Sequence, residues 1–489
     1  MHFDSKSGVI DSYDGRETAP KSATPKMFLQ ANGIPMEFFD AVTGGTSVGV
    51  PGLLKMLEQA HRDHGKLPWP QLFKPAIKLA KSGFKISKRL ARLIAVDKYL
   101  KLSPSAKYHF YNANGSPKKE GENLKNPELA LTLEKVAAHG ADGFYKGSIA
   151  SSIIASISQS IKNPSGMNLS DIANYKAMKR DPLCSPYRIW LICGMPPPSS
   201  GGVTTLQILG LLQRFNFSNF EPMTLRPIHL ISEASALAFA DRNIYVADPD
   251  QIPVPTAGMI DPEYLKLRSN EISVFKAKGR RHPGMPGHST NLNFSPDEIE
   301  KGLSTTHISI IDKNGNSVSM TSSIENVFGS RIMVKGFLLN NQLTDFSFKP
   351  EENGVPVANS VGPGKRPRSS MSPTFIFDDS KNLIMAIGSP GGSKIIGYVI
   401  KTIVATLDWG MNINDAINSP NFTNRNGPIT LEKGTPLEGL KPKLEKMGHK
   451  VKISSQESGL QGVFASKEGL KGGSDNRREG ISIGSEGGE

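Results

Sequence analysis

Cysteine is almost absent: among 489 residues only Cys184 and Cys193 occur. A scaffold stapled by many disulfides is excluded, and no Cys/His set has zinc-ligand spacing. The two cysteines flank a turn leading into a strand. That spacing suits either a disulfide, as in an oxidising compartment, or two buried thiols. Long hydrophobic runs are missing too. No apolar stretch approaches the ~18–20 residues that span a bilayer. Met1-His-Phe-Asp-Ser-Lys6 has no apolar core of an export signal, which keeps the chain cytoplasmic if Met1 is the true start. Basic residues exceed acidic ones, 58 to 45, for a net charge of +13. The lysines are dispersed, however, and the one dense cluster, residues 276–282, lacks an aromatic-rich nucleic-acid motif. It reads as a solvated linker. With 37% hydrophobic and 21% charged residues, the composition is that of a soluble globular protein, long enough for two or three domains or one composite core.

The most informative stretch is Leu303-Ser-Thr-Thr-His-Ile-Ser-Ile-Ile-Asp312. Alternation from Thr305 to Asp312 predicts a strand, and Ser317 to Ser323 a second one. Asn314-Gly315 between them predicts a type I′ hairpin. That hairpin returns Ser323 to the side of Thr305. A hydroxyl at the mouth of a strand, fed by a polar Gly/Pro-rich segment (272–293), suggests a self-cleaving threonine nucleophile.

Around it, apolar residues at i, i+3 and i+4 predict helices at 51–64, 70–82, 127–140, 147–161, 203–215 and 225–241, the last with Arg242 just beyond. The prolines and glycines of Met195-Pro-Pro-Pro-Ser-Ser-Gly-Gly202 make a stiff approach to the fifth of these. Residues 336–346 read as a short buried strand with a polar end, 348–363 as an irregular loop, and 436–447 as a helix. Gly388-Ser-Pro-Gly-Gly-Ser393 turns an apolar strand into a helix reaching Asp408; consecutive glycine amides at such a point suit an oxyanion hole or simply a tight turn. Gly45-Thr-Ser-Val-Gly49 matches a serine-hydrolase elbow, but the strand such an elbow needs is poor here, and a Gly-rich turn entering a helix is the better reading.

Taken in order, Arg16-Glu-Thr-Ala-Pro20, Met195–Gly202, Ser304-Thr-Thr-His307, Leu338-Leu-Asn-Asn-Gln-Leu-Thr-Asp-Phe346, Arg366-Pro-Arg-Ser-Ser-Met-Ser-Pro-Thr374 and Gly388–Ser393 resemble the γ-glutamyltranspeptidases, members of the N-terminal nucleophile (Ntn) hydrolases. The resemblance covers essentially the whole chain. It implies an α/β (α+β) fold, a four-layer αββα sandwich. It also implies a precursor cut between Ser304 and Thr305 into a large-subunit region, 1–304, and a small-subunit region, 305–489. Thr305 is then the nucleophile. Its freed α-amine, with a pKa of about 8, acts as its own base, so the chemistry calls for no histidine, metal or cofactor. Thr306 faces the other side of the strand.

The resemblance also assigns the pocket. Ser323 supports the nucleophile, and Gly391 and Gly392 supply oxyanion amides. Arg16, Ser369 and Ser370 hold the glutamyl α-carboxylate, while Gln342 and Asp345 meet the α-amino group. The implied substrates are glutathione and other γ-glutamyl amides, with water or an amino acid or peptide as acyl acceptor. No nucleic acid and no membrane span are implied. Relatives are periplasmic or secreted.

Three departures modify the expectation. Family members carry a signal peptide and a Gly-rich strand ahead of the stretch where this chain begins, so it reads as N-terminally truncated relative to them. Glu325 stands where well-known members have asparagine. Residues 348–363 are shorter than some lid loops and contain no tyrosine. The competing readings are a glutaryl or cephalosporin-type acylase on the same fold, an unprocessed inactive scaffold and, remotely, a serine hydrolase using Ser47.

Overall fold

The computed structural model describes residues 1–289, 292–297 and 304–484. At its centre two antiparallel sheets pack face to face. In chain order their strands are β1 (His2–Asp4), β2 (Val9–Asp14), β3 (Met178–Arg180), β4 (Leu183–Tyr187), β5 (Trp190–Gly194), β6 (Thr306–Ile311), β7 (Ser317–Ser322), β8 (Thr374–Phe377), β9 (Leu383–Gly388), β10 (Gln461–Ser466) and β11 (Gly469–Ser474). The five-stranded sheet has the order β3-β2-β1-β7-β6, and the six-stranded sheet β11-β10-β9-β8-β5-β4. Each sheet therefore takes strands from both sides of Thr305. The regions 1–304 and 305–489 are interleaved halves of one core rather than two domains side by side.

The period-two alternation of strands builds the layers. Phe375 and Phe377 point between the sheets, where Phe3 of β1 meets Phe377 at 4.9 Å, ring to ring. Ile376 points the other way. With Met385 and Ile387 it packs under the helices Gly201–Leu212, Leu225–Tyr245 and Ile395–Leu407. These helices are buried on nearly every face, and the first and last are accordingly apolar almost all round, while Leu225–Tyr245 also buries His229, Glu233, Asp241 and Arg242. The smaller sheet is covered differently. Helix Leu53–His64 lies beside β2 through polar contacts: the Tyr13 hydroxyl lies 2.6 Å from Asp63 and 2.8 Å from His64. Further out, Val48, Val50, Tyr145, Ile149 and Ile153 form a second apolar cluster. On the outer face of β6, Ile308 and Ile310 remain 49% and 46% exposed.

The expected sandwich of mixed helices and sheets is present, with local corrections. The hairpin pairs Thr306 with Ser322 and Ile311 with Ser317, as the alternation requires. Its turn is not type I′. That type needs positive φ at two successive residues; Gly315 has φ 84°, and Asn314 does not have a positive value. The Asp312 carboxylate accepts the backbone N–H groups of Asn314 and Asn316 at 2.8 and 2.9 Å, an Asx-type lock that holds Asn314 right-handed.

Residues 336–346 form only a two-residue strand, Phe337–Leu338, and then the 3₁₀ turn Gln342–Asp345. Asn340 and Asn341 turn their side chains to backbone groups of Gly49, Gln342 and Asn326. Residues 436–447 divide likewise into a 3₁₀ turn, Pro436–Leu440, and a short helix, Lys441–Lys446. The cluster at 276–282 is not wholly solvated: Arg281 is buried and pairs with Glu271 at 2.7 Å. Residues 290 and 291 of the expected 272–293 loop, and Leu303, two residues before Thr305, lie outside the described residues. Cys184 and Cys193 face each other on β4 and β5 and form a disulfide.

Candidate active site

The register of β6 and β7 places Thr305 beside Ser323 at the open end of the hairpin. Thr305 Oγ1 donates to Ser323 Oγ at 3.3 Å, and Ser323 Oγ donates to the Ser304 carbonyl at 2.8 Å. The Glu325 backbone N–H donates to the same Ser323 oxygen at 2.9 Å. A hydroxyl has one proton and two lone pairs, and all are used. The Ser304 carbonyl belongs to the bond that a Thr305 nucleophile would cut, and a donor already touches it. Arg478 holds the next carbonyl, that of Thr305, at 3.1 Å.

His307, two residues along, is no base in waiting. It is buried between the sheets, bonded to Thr321 Oγ1 at 2.8 Å and Ser309 Oγ at 3.0 Å. Burial pushes its pKa down to about 3. Thr306 faces solvent. A cavity opens over Thr305, lined by Arg16, Ser304, Ser323, Glu325, Gln342, Asp345, Ser369, Ser370 and Gly392. Apart from Gly391, every site residue named from the sequence reaches it. Gly391 precedes the lining. It has φ 137°, and a Cβ there would come within 2.6 Å of the Tyr398 ring.

One wall is charged. Arg16 Nη2 donates to Asp345 Oδ2 at 2.5 Å and to the Arg368 carbonyl at 3.0 Å, and Nε donates to the Pro367 carbonyl at 3.0 Å. Gln342 Nε2 donates to the same Asp345 oxygen at 2.8 Å. The Asp345 side chain is 21% exposed, toward the cavity. Glu325, at φ 71°, is buried and accepts a short hydrogen bond from Asn341 Nδ2. Glu17, 3.9 Å from Arg16 Nη1, has its pKa raised to about 7, chiefly by burial.

The opposite wall shows what the proline-rich stretch is for. The Ser200 backbone N–H and hydroxyl both donate to the Ser369 carbonyl, at 2.8 and 2.7 Å, and Ser199 Oγ donates to the Met371 carbonyl at 2.6 Å. Contact this close requires glycine next: a Cβ on residue 201 would lie 2.1 Å from the Met371 carbonyl oxygen. Ser369 and Ser370 are thus presented by a fixed backbone.

Three charged lining residues, Arg242, Asp297 and Arg368, escaped sequence reasoning. Arg242 falls inside the helix Leu225–Tyr245, which continues past the expected end at 241. Arg368 sits in the quoted Arg-Pro-Arg run, and it pairs with Asp297 at 2.9 Å. Periodicity gave no signal for any of them, since each is an isolated charge that only tertiary packing turns inward. Ser47, the alternative nucleophile, is fully buried and donates to the Val42 carbonyl at 2.7 Å. Its glycine turn serves as a buttress: Gly49 exchanges two 2.9 Å bonds with the Asn340 side chain, just ahead of Gln342.

Comparison with known proteins places the chain in a family. A sequence model of the Gamma-glutamyltranspeptidase family matches residues 1–485. The chain is 38% identical over 496 aligned residues to a Bacillus subtilis (strain 168) protein named glutathione hydrolase proenzyme, covering 99% of this chain and 82% of that one. It superposes on a cephalosporin acylase from Bacillus halodurans with a TM-score of 0.82, over 98% of this chain and 86% of that one; at 24% identity this is a likeness of fold. A Helicobacter pylori gamma-glutamyltranspeptidase chain, 30% identical, matches with a TM-score of 0.54 over 60% of this chain and 80% of that one.

Proposed function

The chain belongs to the γ-glutamyltranspeptidase family, and from that premise we propose that it is a self-processing γ-glutamyl hydrolase and transferase whose nucleophile is Thr305. The observation that carries the reading is the Ser323 hydroxyl, which touches both Thr305 Oγ1 and the Ser304 carbonyl. In the precursor, Thr305 Oγ1 attacks the Ser304 carbonyl carbon. Ser323 stabilises the developing oxyanion. Collapse breaks the Ser304–Thr305 peptide bond, the hydroxyl proton passes to the leaving nitrogen, and the resulting ester is hydrolysed by water. This leaves the regions 1–304 and 305–489 as large and small subunits, held together by two shared sheets.

In the mature site the Thr305 α-amine takes the proton as its hydroxyl attacks a γ-glutamyl amide. The amine of the leaving group departs, and water or an acceptor amine then releases the glutamyl ester. Gly391 and Gly392 supply oxyanion amides. Arg16, Ser369 and Ser370 receive the α-carboxylate, while Asp345, Gln342 and Glu325 receive the α-ammonium. Two carboxylates on that wall favour an ammonium-bearing γ-glutamyl group over a glutaryl group, which has nothing to set against them. The Cys184–Cys193 disulfide supports an oxidising, exported setting, periplasmic or secreted. No helix among the described residues is long and apolar enough to cross a membrane.

Purified protein on a denaturing gel tests the cut. Two bands are expected, the smaller starting at Thr305 by mass analysis; a lone 52.9 kDa band, or a start at Thr306, would sink the assignment. Matched γ-glutamyl and glutaryl anilides then test the pocket. Turnover should require the α-amino group, and equal rates on both would make the protein an acylase.

A further inference from the structure

Arg16 is compensated before any substrate arrives, by Asp345 at 2.5 Å and Glu17 at 3.9 Å. Arg368 is compensated by Asp297. Arg242 is different. It lines the same cavity, is buried, and forms no ion pair among the described residues. Its three donors go to neutral oxygens: Nε to Ser200 Oγ at 2.8 Å, Nη1 to Asn243 Oδ1 at 2.9 Å and Nη2 to Ser370 Oγ at 2.6 Å. A buried guanidinium without an ion-pair partner is costly. The cost shows in its pKa, held well below the usual arginine range by burial and by neighbouring Arg368, with Asp297 and Asp345 offsetting only part of that. An anion entering the cavity would relieve it.

The chemistry at Ser370 tells where that anion would sit. Its hydroxyl accepts from Arg242 and has no acceptor for its own proton among the described residues. Arg242 occupies a lone pair, so the Ser370 proton is left to point toward the cavity that Ser370 lines. Ser200 fixes the arrangement from behind, since it accepts from Arg242 and donates to the Ser369 carbonyl.

We propose that Arg242 is the positioning residue for the substrate carboxylate: through Ser370 it orients a hydroxyl donor and supplies a positive charge, engaged in no ion pair among the described residues, that balances the carboxylate. This rests on the γ-glutamyl reading above. It divides the work of recognition, with Arg16 giving direct donors inside a neutralised pair and Arg242 giving the charge.

The test compares L-γ-glutamyl-4-nitroanilide with 4-aminobutyryl-4-nitroanilide, which lacks only the carboxylate. For Arg242→Gln, KM for the first should rise by about tenfold or more, with kcat within about threefold. The kcat/KM for the second should stay within about twofold of wild type. Arg242→Lys should recover part of the lost KM. Ser370→Ala should show the same split without disturbing the helix, and the double variant should be no worse than the worse single one, because the two groups act in series. Chain cleavage on a gel reports folding for each variant. Equal losses on both substrates, an unchanged KM, or additive losses in the double variant would overturn the proposal. If wild-type protein neither cuts itself nor turns over the γ-glutamyl anilide, the underlying reading fails, and this one with it. That outcome is distinct from a failure confined to Arg242.

Discussion

The two sheets share one interior and differ in almost everything else. The six-stranded sheet is roofed by helices that are buried on nearly every face, and its strands contribute Ile376, Met385 and Ile387 to a continuous buried cluster. The five-stranded sheet carries polar contacts on its outer side and leaves Ile308 and Ile310 half exposed. Yet the smaller sheet holds the hairpin with Thr305 and Ser323, while the larger one ends in the turns that present Gly392 and Ser369. Apolar burial concentrates in one half and reactive hydroxyls in the other. The cavity lies where they meet, so a rigid wall faces the proposed nucleophile, whose own strand is only lightly packed.

That division can be broken experimentally. The largest effect should come from Thr305→Ala: cutting and γ-glutamyl turnover should both vanish while the thermal midpoint stays close to wild type. Loss of folding instead would mean that the hairpin carries stability as well as chemistry. Next, Ile400→Ala in the roof of the larger sheet removes a fully buried side chain and should cost about 2–5 kcal/mol in denaturant unfolding. Ile308→Ala on the smaller sheet should cost below about 0.5 kcal/mol. Similar costs for the two would erase the contrast.

A smaller, pH-dependent effect is expected at Glu17. Its pKa is raised from an ordinary 4.5 to about 7, mainly by burial, so the fold prefers the neutral acid. The associated stability is complete below about pH 4.5 and is lost as the pH rises through 7. Glu17→Gln should therefore be more stable than wild type at pH 8, by about 1–3 kcal/mol, and indistinguishable at pH 4. A constant difference across that range would assign the effect to packing. Activity should change least for Ser47→Ala, with kcat and cleavage unaltered and about 1 kcal/mol of stability lost with the buried hydrogen bonds. Loss of activity with an intact fold would revive the serine-hydrolase reading.

Much of this was legible in the residues because it depends on local rules. Alternation around Asn314-Gly315 placed Ser323 opposite Thr305, although the Asp312 side chain selected a different turn from the one the dipeptide suggests. Every site residue named from the sequence lines the cavity except Gly391, which stands one position outside. Arg242 and Asp297 were not legible as site residues, since nothing in their neighbourhoods distinguishes an inward charge from a solvated one.

By itself, then, the sequence determined the strand and helix periodicities, the hairpin register and the family, because each rests on spacing along the chain. Tertiary structure decided which charges cancel. Arg16 meets Asp345 across 329 positions of chain, while Arg242, buried in a helix end, gives its hydrogen bonds to hydroxyl and amide oxygens and lies over the Phe239 ring. Electrostatic compensation depends on distance through space and on burial, and neither is written in the order of residues.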